Sequence, residues 1–168
     1  MKWIGALLII LGCGGVGFLT VAYYKREERA LHEFIVALQH MNCELQYTGA
    51  SLPLLCRSAA QRCGGSVGQV LERLGEELEA QISPNASACM HAAVRKQKYL
   101  PEKAERCLLQ FGDSLGCFDL PGQIKSMEAV EKFAALELDE LRENKEARCR
   151  TYQTLGLCAG FALVVLFI

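Results

Sequence analysis

The chain has 168 residues, 51% of them hydrophobic, with 18 basic and 19 acidic side chains and a net charge of −1. That is the length of one ordinary domain with more apolar content than a typical soluble chain. The near-zero charge leaves no electrostatic basis for nucleic-acid binding, because a phosphate-binding domain carries a basic excess.

The charges are unevenly placed. Only Lys2 precedes Lys25 and none follows Arg150, so the ends are apolar and the middle carries a soluble charge load. From Trp3 to Tyr24 run 22 uncharged residues, and a helix of that length covers about 33 Å against a hydrocarbon core of about 30 Å. Residues 3–24 are therefore expected to be a transmembrane helix. Lys25, Arg26 and Arg29 follow it, and Arg142, Lys145, Arg148 and Arg150 precede the C-terminal apolar run, against Lys2 alone on the other side. This asymmetry is expected to place the body, residues 25–151, in the cytoplasm.

Leu31, Phe34, Ile35, Leu38, Met41 and Leu45 recur at three- and four-residue steps, so the first span is expected to run on as one helix to Gly49. Ser51 before Leu52-Pro53 reads as the N-cap of a short helix through Cys63, closed by Gly64-Gly65. Ser66 with Gln69 has capping-box spacing for the next helix, through Gln81. Ser83-Pro84-Asn85 reads as a turn and Ala86–Lys98 as an alanine-rich helix. Leu100-Pro101 opens another helix, with Glu102 and Glu105 at the positive end of its dipole, closing between Gly112 and Gly116. Asp119 is the expected N-cap of a last helix with Ile124, Met127, Val130, Phe133 or Ala134, Leu138 and Leu141 on one face. It meets no breaker before residues 152–168, a run of 17 that reaches only about 26 Å, so as a second span it must thin the bilayer or lean on a neighbour. No segment alternates apolar and polar residues as strands do. The expected fold class is all-α, a helical bundle flanked by N- and C-terminal transmembrane helices.

Gly12-Cys13-Gly14-Gly15-Val16-Gly17 satisfies the G-x-G-x-x-G of dinucleotide sites, yet no second strand follows at the spacing a βαβ unit needs. In a membrane helix Gly12 and its neighbours, like Gly156 and Gly160 of the second span, instead permit close helix approach and favour pairing or a homo-oligomer. Ile10-Leu11-Gly12-Cys13 loosely resembles a lipoprotein cleavage box, but the single lysine before it and the apolar stretch after Cys13 do not suit an exported body. His32 and His40 lie eight apart beside the first span, and His91 near Cys89 has no further ligand at metal spacing, so neither metal nor cofactor is expected. Glu76, Glu77 and Glu79, like Asp139, Glu140 and Glu143, read as solvated helix faces. The cysteines outside the apolar ends show no CxxC pair and read as small apolar fillers in a reducing compartment. Nothing here forms a catalytic constellation, so no enzymatic activity and no small-molecule substrate is expected.

Several stretches together carry a resemblance. They are the lysine-led N-terminal span, Glu44-Leu45-Gln46-Tyr47 followed by Ser51-Leu52-Pro53-Leu54, then Leu109-Gln110-Phe111-Gly112-Asp113-Ser114-Leu115-Gly116 with Asp119 and Gln123, and the ending Tyr152-Gln153-Thr154-Leu155-Gly156 with Gly160. With these, the whole chain resembles stage III sporulation protein AB of endospore-forming bacteria. The resemblance implies a structural component of the channel-like assembly between mother cell and forespore, seated on the mother-cell side in the outer forespore membrane. It further implies a helical body similar to the cytoplasmic domain of the type II secretion and type IV pilus platform, the F protein, in contact with a secretion-type ATPase. The chain departs from the family in its richness in cysteine and at Ala50 and Ser51, where the family tends to threonine. Glu44, Tyr47, Leu52 and Pro53 at one corner, and Phe111, Gly112, Leu115, Gly116, Asp119 and Gln123 at another, are candidates for partner contact. Capping alone explains Ser51, Pro53 and Asp119 equally well.

Overall fold

The computed structural model describes residues 2–80, 85–116 and 119–167, with side chains over 21–80, 85–116 and 119–144. Six helices account for the regular structure among the described residues: α1 (Lys2–Thr48), α2 (Leu52–Arg62), α3 (Gly65–Ala80), α4 (Ala86–Arg95), α5 (Glu102–Ser114) and α6 (Leu120–Phe167). The chain divides into two compact units, one of Glu27–Leu138 and one of Met1–Arg26 with Asp139–Ile168, so that α1 and α6 run through both. Among the described residues no helix is long and apolar enough to cross a membrane. Of the two segments assigned to the bilayer, 3–24 and 152–168, all but 21–24 lie outside the residues whose side chains are described.

The helix boundaries follow local chemistry. α1 stops where Gly49 takes φ 56°, a left-handed conformation that glycine adopts without a Cβ penalty. Pro53 in the first turn starts α2, but Ser51 accepts no capping hydrogen bond through its side chain. The capping-box expectation at Ser66 fails, because Gly65 with φ 64° already begins α3 and Ser66 falls inside it. Gln69 instead accepts from Gln97 Nε2 at 2.9 Å, a partner 28 residues away. At α4 the cap is Asn85, whose Oδ1 accepts from Ala88 N at 2.8 Å, and the helix ends at Arg95 rather than Lys98. Ser83 and Pro84 of the expected turn lie outside the described residues. α5 carries Glu102 and Glu105 in its first turn, and Asp119 caps α6 by accepting from Gly122 N at 3.2 Å.

In the Glu27–Leu138 unit, α2 packs on α3, α3 on α4 and α4 on α5. Each helix turns one apolar stripe inward, which is the packing that stabilises amphipathic helices too short to persist alone. Leu31, Phe34, Leu38 and Met41 of α1 are buried, as are Leu55, Leu71, Met90, Leu108 and Met127 of the helices that follow. Two stripe positions depart from expectation: Ile35 is half-buried while Ala37 is fully inside, and on α6 Gln123 is buried while Ile124 is half-buried. Between Phe133 and Ala134, Ala134 is the core residue.

Candidate functional site

The two groups of candidate residues have different surroundings. At the corner where α1 meets α2, Thr48 Oγ1 donates to Glu44 O at 2.7 Å and Gly49 N to Leu45 O at 3.2 Å, closing the helix. Glu44 is held toward α2: its Oε1 accepts from Ser58 Oγ at 2.9 Å and lies 3.2 Å from His40 Nε2, which is itself 2.9 Å from Ser58 Oγ. Serine, histidine and glutamate in one cluster invite comparison with a hydrolytic triad. That arrangement needs one imidazole nitrogen on the hydroxyl and the other on the carboxylate. Here a single nitrogen faces both, and the hydroxyl donates to the carboxylate, so the cluster clamps α1 to α2. Outside the clamp, Tyr47 is 84% exposed and Leu54 57% exposed, while Leu52 and Pro53 are half-buried.

The second group faces the interior. Phe111 is fully buried with its ring edge-on to Phe34, centroids 6.0 Å apart. Gly112 is buried because α4 crosses there; a Cβ at this position would lie 2.5 Å from Met90 Cβ. Leu115 is buried, and Gly116 takes φ 75° as the chain leaves α5. Gln123 is buried and accepts from Gly116 N at 3.2 Å through Oε1, which ties the first turn of α6 to the end of α5, while its Nε2 has no hydrogen-bond partner among the described residues. Ser87 Oγ donates to Asp113 Oδ1 across α4 and α5. This stretch packs, caps and closes the bundle, and the outward apolar surface among the candidates belongs to the α1–α2 corner.

One residue that sequence reasoning passed over is Glu27. Pro101 stands at the N-cap of α5 and offers no side-chain cap. The buried Glu27 supplies one from α1, its Oε1 accepting from Lys103 N at 3.3 Å. The available signal was its position four residues before Leu31, on the apolar stripe of α1. Lys103 Nζ in turn lies 2.7 Å from Glu137 Oε2 of α6, and Arg106 Nη1 lies 3.6 Å from Glu137 Oε1. Between α2 and α3 an open groove of about 360 Å³ is lined by Arg57, Ala60, Gln61, Glu72 and Glu76. Among the described residues no group of histidine, cysteine and carboxylate side chains is placed to hold a metal ion.

Five described cysteines are free thiols; Cys56, Cys63, Cys89 and Cys107 are buried, and Cys43 is exposed, contrary to its reading as a filler. Burial pushes the Cys56 thiol up to about 12. Burial, reinforced by Glu137, does the same to Cys107, and burial with Glu33 raises Cys63. Cys63 Sγ donates to Glu33 O at 3.2 Å. Since thiolate is the reactive form, alkylation at pH 8 followed by peptide mass spectrometry is expected to modify Cys43 rapidly, and Cys56 and Cys107 only after unfolding. The raised values also fix a sign. Stability from these buried thiols is whole below the ordinary thiol value and is lost as pH climbs toward about 12, because only the unfolded chain ionises readily there.

The glycines Gly12, Gly156 and Gly160 lie in α1 and α6, outside the described side chains. α1 runs unbroken across Gly12–Gly17, so the strand–turn–helix context that a dinucleotide loop requires is absent there. The fold and its clamps define a helical bundle module bounded by two long helices of 47 and 48 residues.

The chain belongs to the family of stage III sporulation protein AB, which it matches over residues 2–168. It is 25% identical over 171 residues to stage III sporulation protein AB of Bacillus subtilis (strain 168), covering 99% of this chain and 98% of that one. A solved structure of stage III sporulation protein AB (SpoIIIAB) superposes with TM-score 0.63 at 18% identity, covering 73% of this chain and 98% of the other, a likeness of fold.

Proposed function

We propose that this sporulation protein is a non-catalytic membrane platform of the secretion-like channel between mother cell and forespore. It acts through protein contacts, including one with a secretion-type ATPase. The observation that carries the reading is the family match along nearly the whole chain, from residue 2 to residue 168. Residues 3–24 and 152–168 span the outer forespore membrane from the mother-cell side, and the F-like helical body faces the cytoplasm, where a motor works. The 22 uncharged residues of the first span support this, since they match a bilayer in length. The partner surface on this reading is the α1–α2 corner, where Tyr47 and Leu54 stand exposed.

Deleting the gene in its host is expected to abolish heat-resistant spores; a normal spore yield rejects the reading. Tyr47→Ala with Leu54→Ala is expected to reduce capture of the ATPase at least tenfold in a pull-down and to leave the bundle folded. For orientation the useful reporter is Cys43, because Cys56 and Cys107 are buried. In intact cells an impermeant thiol reagent is expected to leave Cys43 unlabelled. Labelling would place the body outside, as a lipoprotein would have it.

A further inference from the structure

The stretch of α1 where the apolar run ends carries a pattern that neither the core nor the corner uses. α1 is one helix from Lys2 to Thr48. Trp3 and Tyr23 stand 20 positions apart on it, an axial distance of about 30 Å, equal to the hydrocarbon core of a bilayer. Tryptophan and tyrosine collect at the two interfaces of a membrane because their rings are part apolar and part hydrogen-bonding. Tyr23 is 52% exposed and meets Tyr24 edge-on, centroids 6.1 Å apart. Lys25 and Arg26 follow, both exposed, and in the next turn Arg29 is ion-paired with Glu33, Nε to Oε1 3.3 Å.

Read as a string, Lys25-Arg26-Glu27-Glu28-Arg29 mixes both signs, and its carboxylates would blunt any attraction for an anion. The structure removes one of them from the surface. Glu27 is only 4% exposed, and its carboxylate is bound to the first turn of α5. Glu28 is half-buried. Glu27 is thus withdrawn from the outward face, where Lys25 and Arg26 stand exposed directly after the aromatic pair.

We infer that the Tyr23–Arg26 turn is a contact for acidic phospholipid headgroups, with Lys25 and Arg26 meeting the phosphate and the tyrosines seated at the interface. The inference rests on the first span crossing the membrane. Charge complementarity selects the occupant: basic residues beside a membrane surface favour anionic over zwitterionic lipid by about 1 kcal/mol each, about fivefold per residue.

The test uses the full chain reconstituted in phosphatidylcholine vesicles with and without phosphatidylglycerol, with carbonate extraction to report insertion and the lipids retained on gentle detergent extraction to report selectivity. Wild type is expected to resist carbonate and to retain phosphatidylglycerol in excess of its share. Lys25→Gln with Arg26→Gln is expected to insert equally and lose that excess by roughly tenfold or more, while Lys25→Arg with Arg26→Lys keeps it. Stable insertion with no phosphatidylglycerol excess in the wild type, or an excess unchanged in the glutamine variant, overturns the inference and leaves the membrane reading standing. Release by carbonate in both compositions overturns the membrane reading, and the inference with it.

Discussion

Phe111→Ala is expected to destabilise the helical body by about 3–5 kcal/mol, the range for truncating a buried aromatic to alanine. The ring is fully buried and edge-on to Phe34, so the substitution removes the transfer energy of the ring, opens a cavity between α1 and α5, and breaks an aromatic pair. Cavity collapse is hindered next door, because Gly112 already lets α4 approach as closely as Met90 allows. With domain stabilities of only about 5–15 kcal/mol, this is a large share of the total. Urea unfolding of the full chain in detergent, followed by far-UV circular dichroism, would show the midpoint drop. A loss under about 1 kcal/mol would mean that Phe111 does not hold the core, and partner contact would again be its better account. Tyr47→Ala supplies the contrast: at 84% exposure its expected effect on stability is within about 0.5 kcal/mol.

The comparison of these two residues also shows where sequence reading stops. Both lie in stretches that carry the family resemblance, and the string does not distinguish a residue that caps or packs from one that meets a partner. Rotation of a helix against its neighbours decides that, and it depends on pairs far apart in the chain. Phe34 meets Phe111 and Glu27 meets Lys103, across separations no local pattern encodes. What was legible was local. Gly49 ends α1 because its left-handed conformation is strained for a residue with a Cβ, Pro53 starts α2, and Asp119 caps α6. The capping box at Ser66 failed for the same reason that the local signals worked elsewhere. The spacing was right, but Gly65 had already turned the chain into α3, and the tertiary partner Gln97 claimed Gln69. Glu27 was hidden by composition: in a run of five charged residues it looked like surface, although its register on the α1 stripe pointed inward.

Glu137→Ala is expected to be the other costly single change, at about 3 kcal/mol, because it removes a mostly buried carboxylate that serves both Lys103 and Arg106. Lys103 and Glu137 are 2.7 Å apart with side chains only 20% and 11% exposed, so little water is present to replace the lost carboxylate. Lys103 also gives its backbone N–H to Glu27, so displacing its side chain disturbs the end of α5 that α1 caps. A buried ion pair and a well-packed apolar pair are often of similar stability. Lys103→Met with Glu137→Leu is therefore expected to recover most of the loss, measured as the same urea midpoint. If the double variant is as unstable as Glu137→Ala, the site depends on packing that the new side chains cannot reproduce, and the ion-pair account fails. Cys107 provides a second readout. Its thiol is pushed up to about 12 by burial first and then by Glu137, against a downward pull from Arg106 and Lys103. Removing Glu137 and keeping Lys103 leaves only burial acting upward and two cations acting downward, so Cys107 should ionise at lower pH in Glu137→Ala, read from thiolate ultraviolet absorbance, which needs no reagent to enter the core. In the double variant one of those cations is also gone, and the onset should move back up. A pure loss of folding would expose Cys107 in proportion to the unfolded fraction and would vanish on adding a stabilising osmolyte, whereas the electrostatic shift would persist.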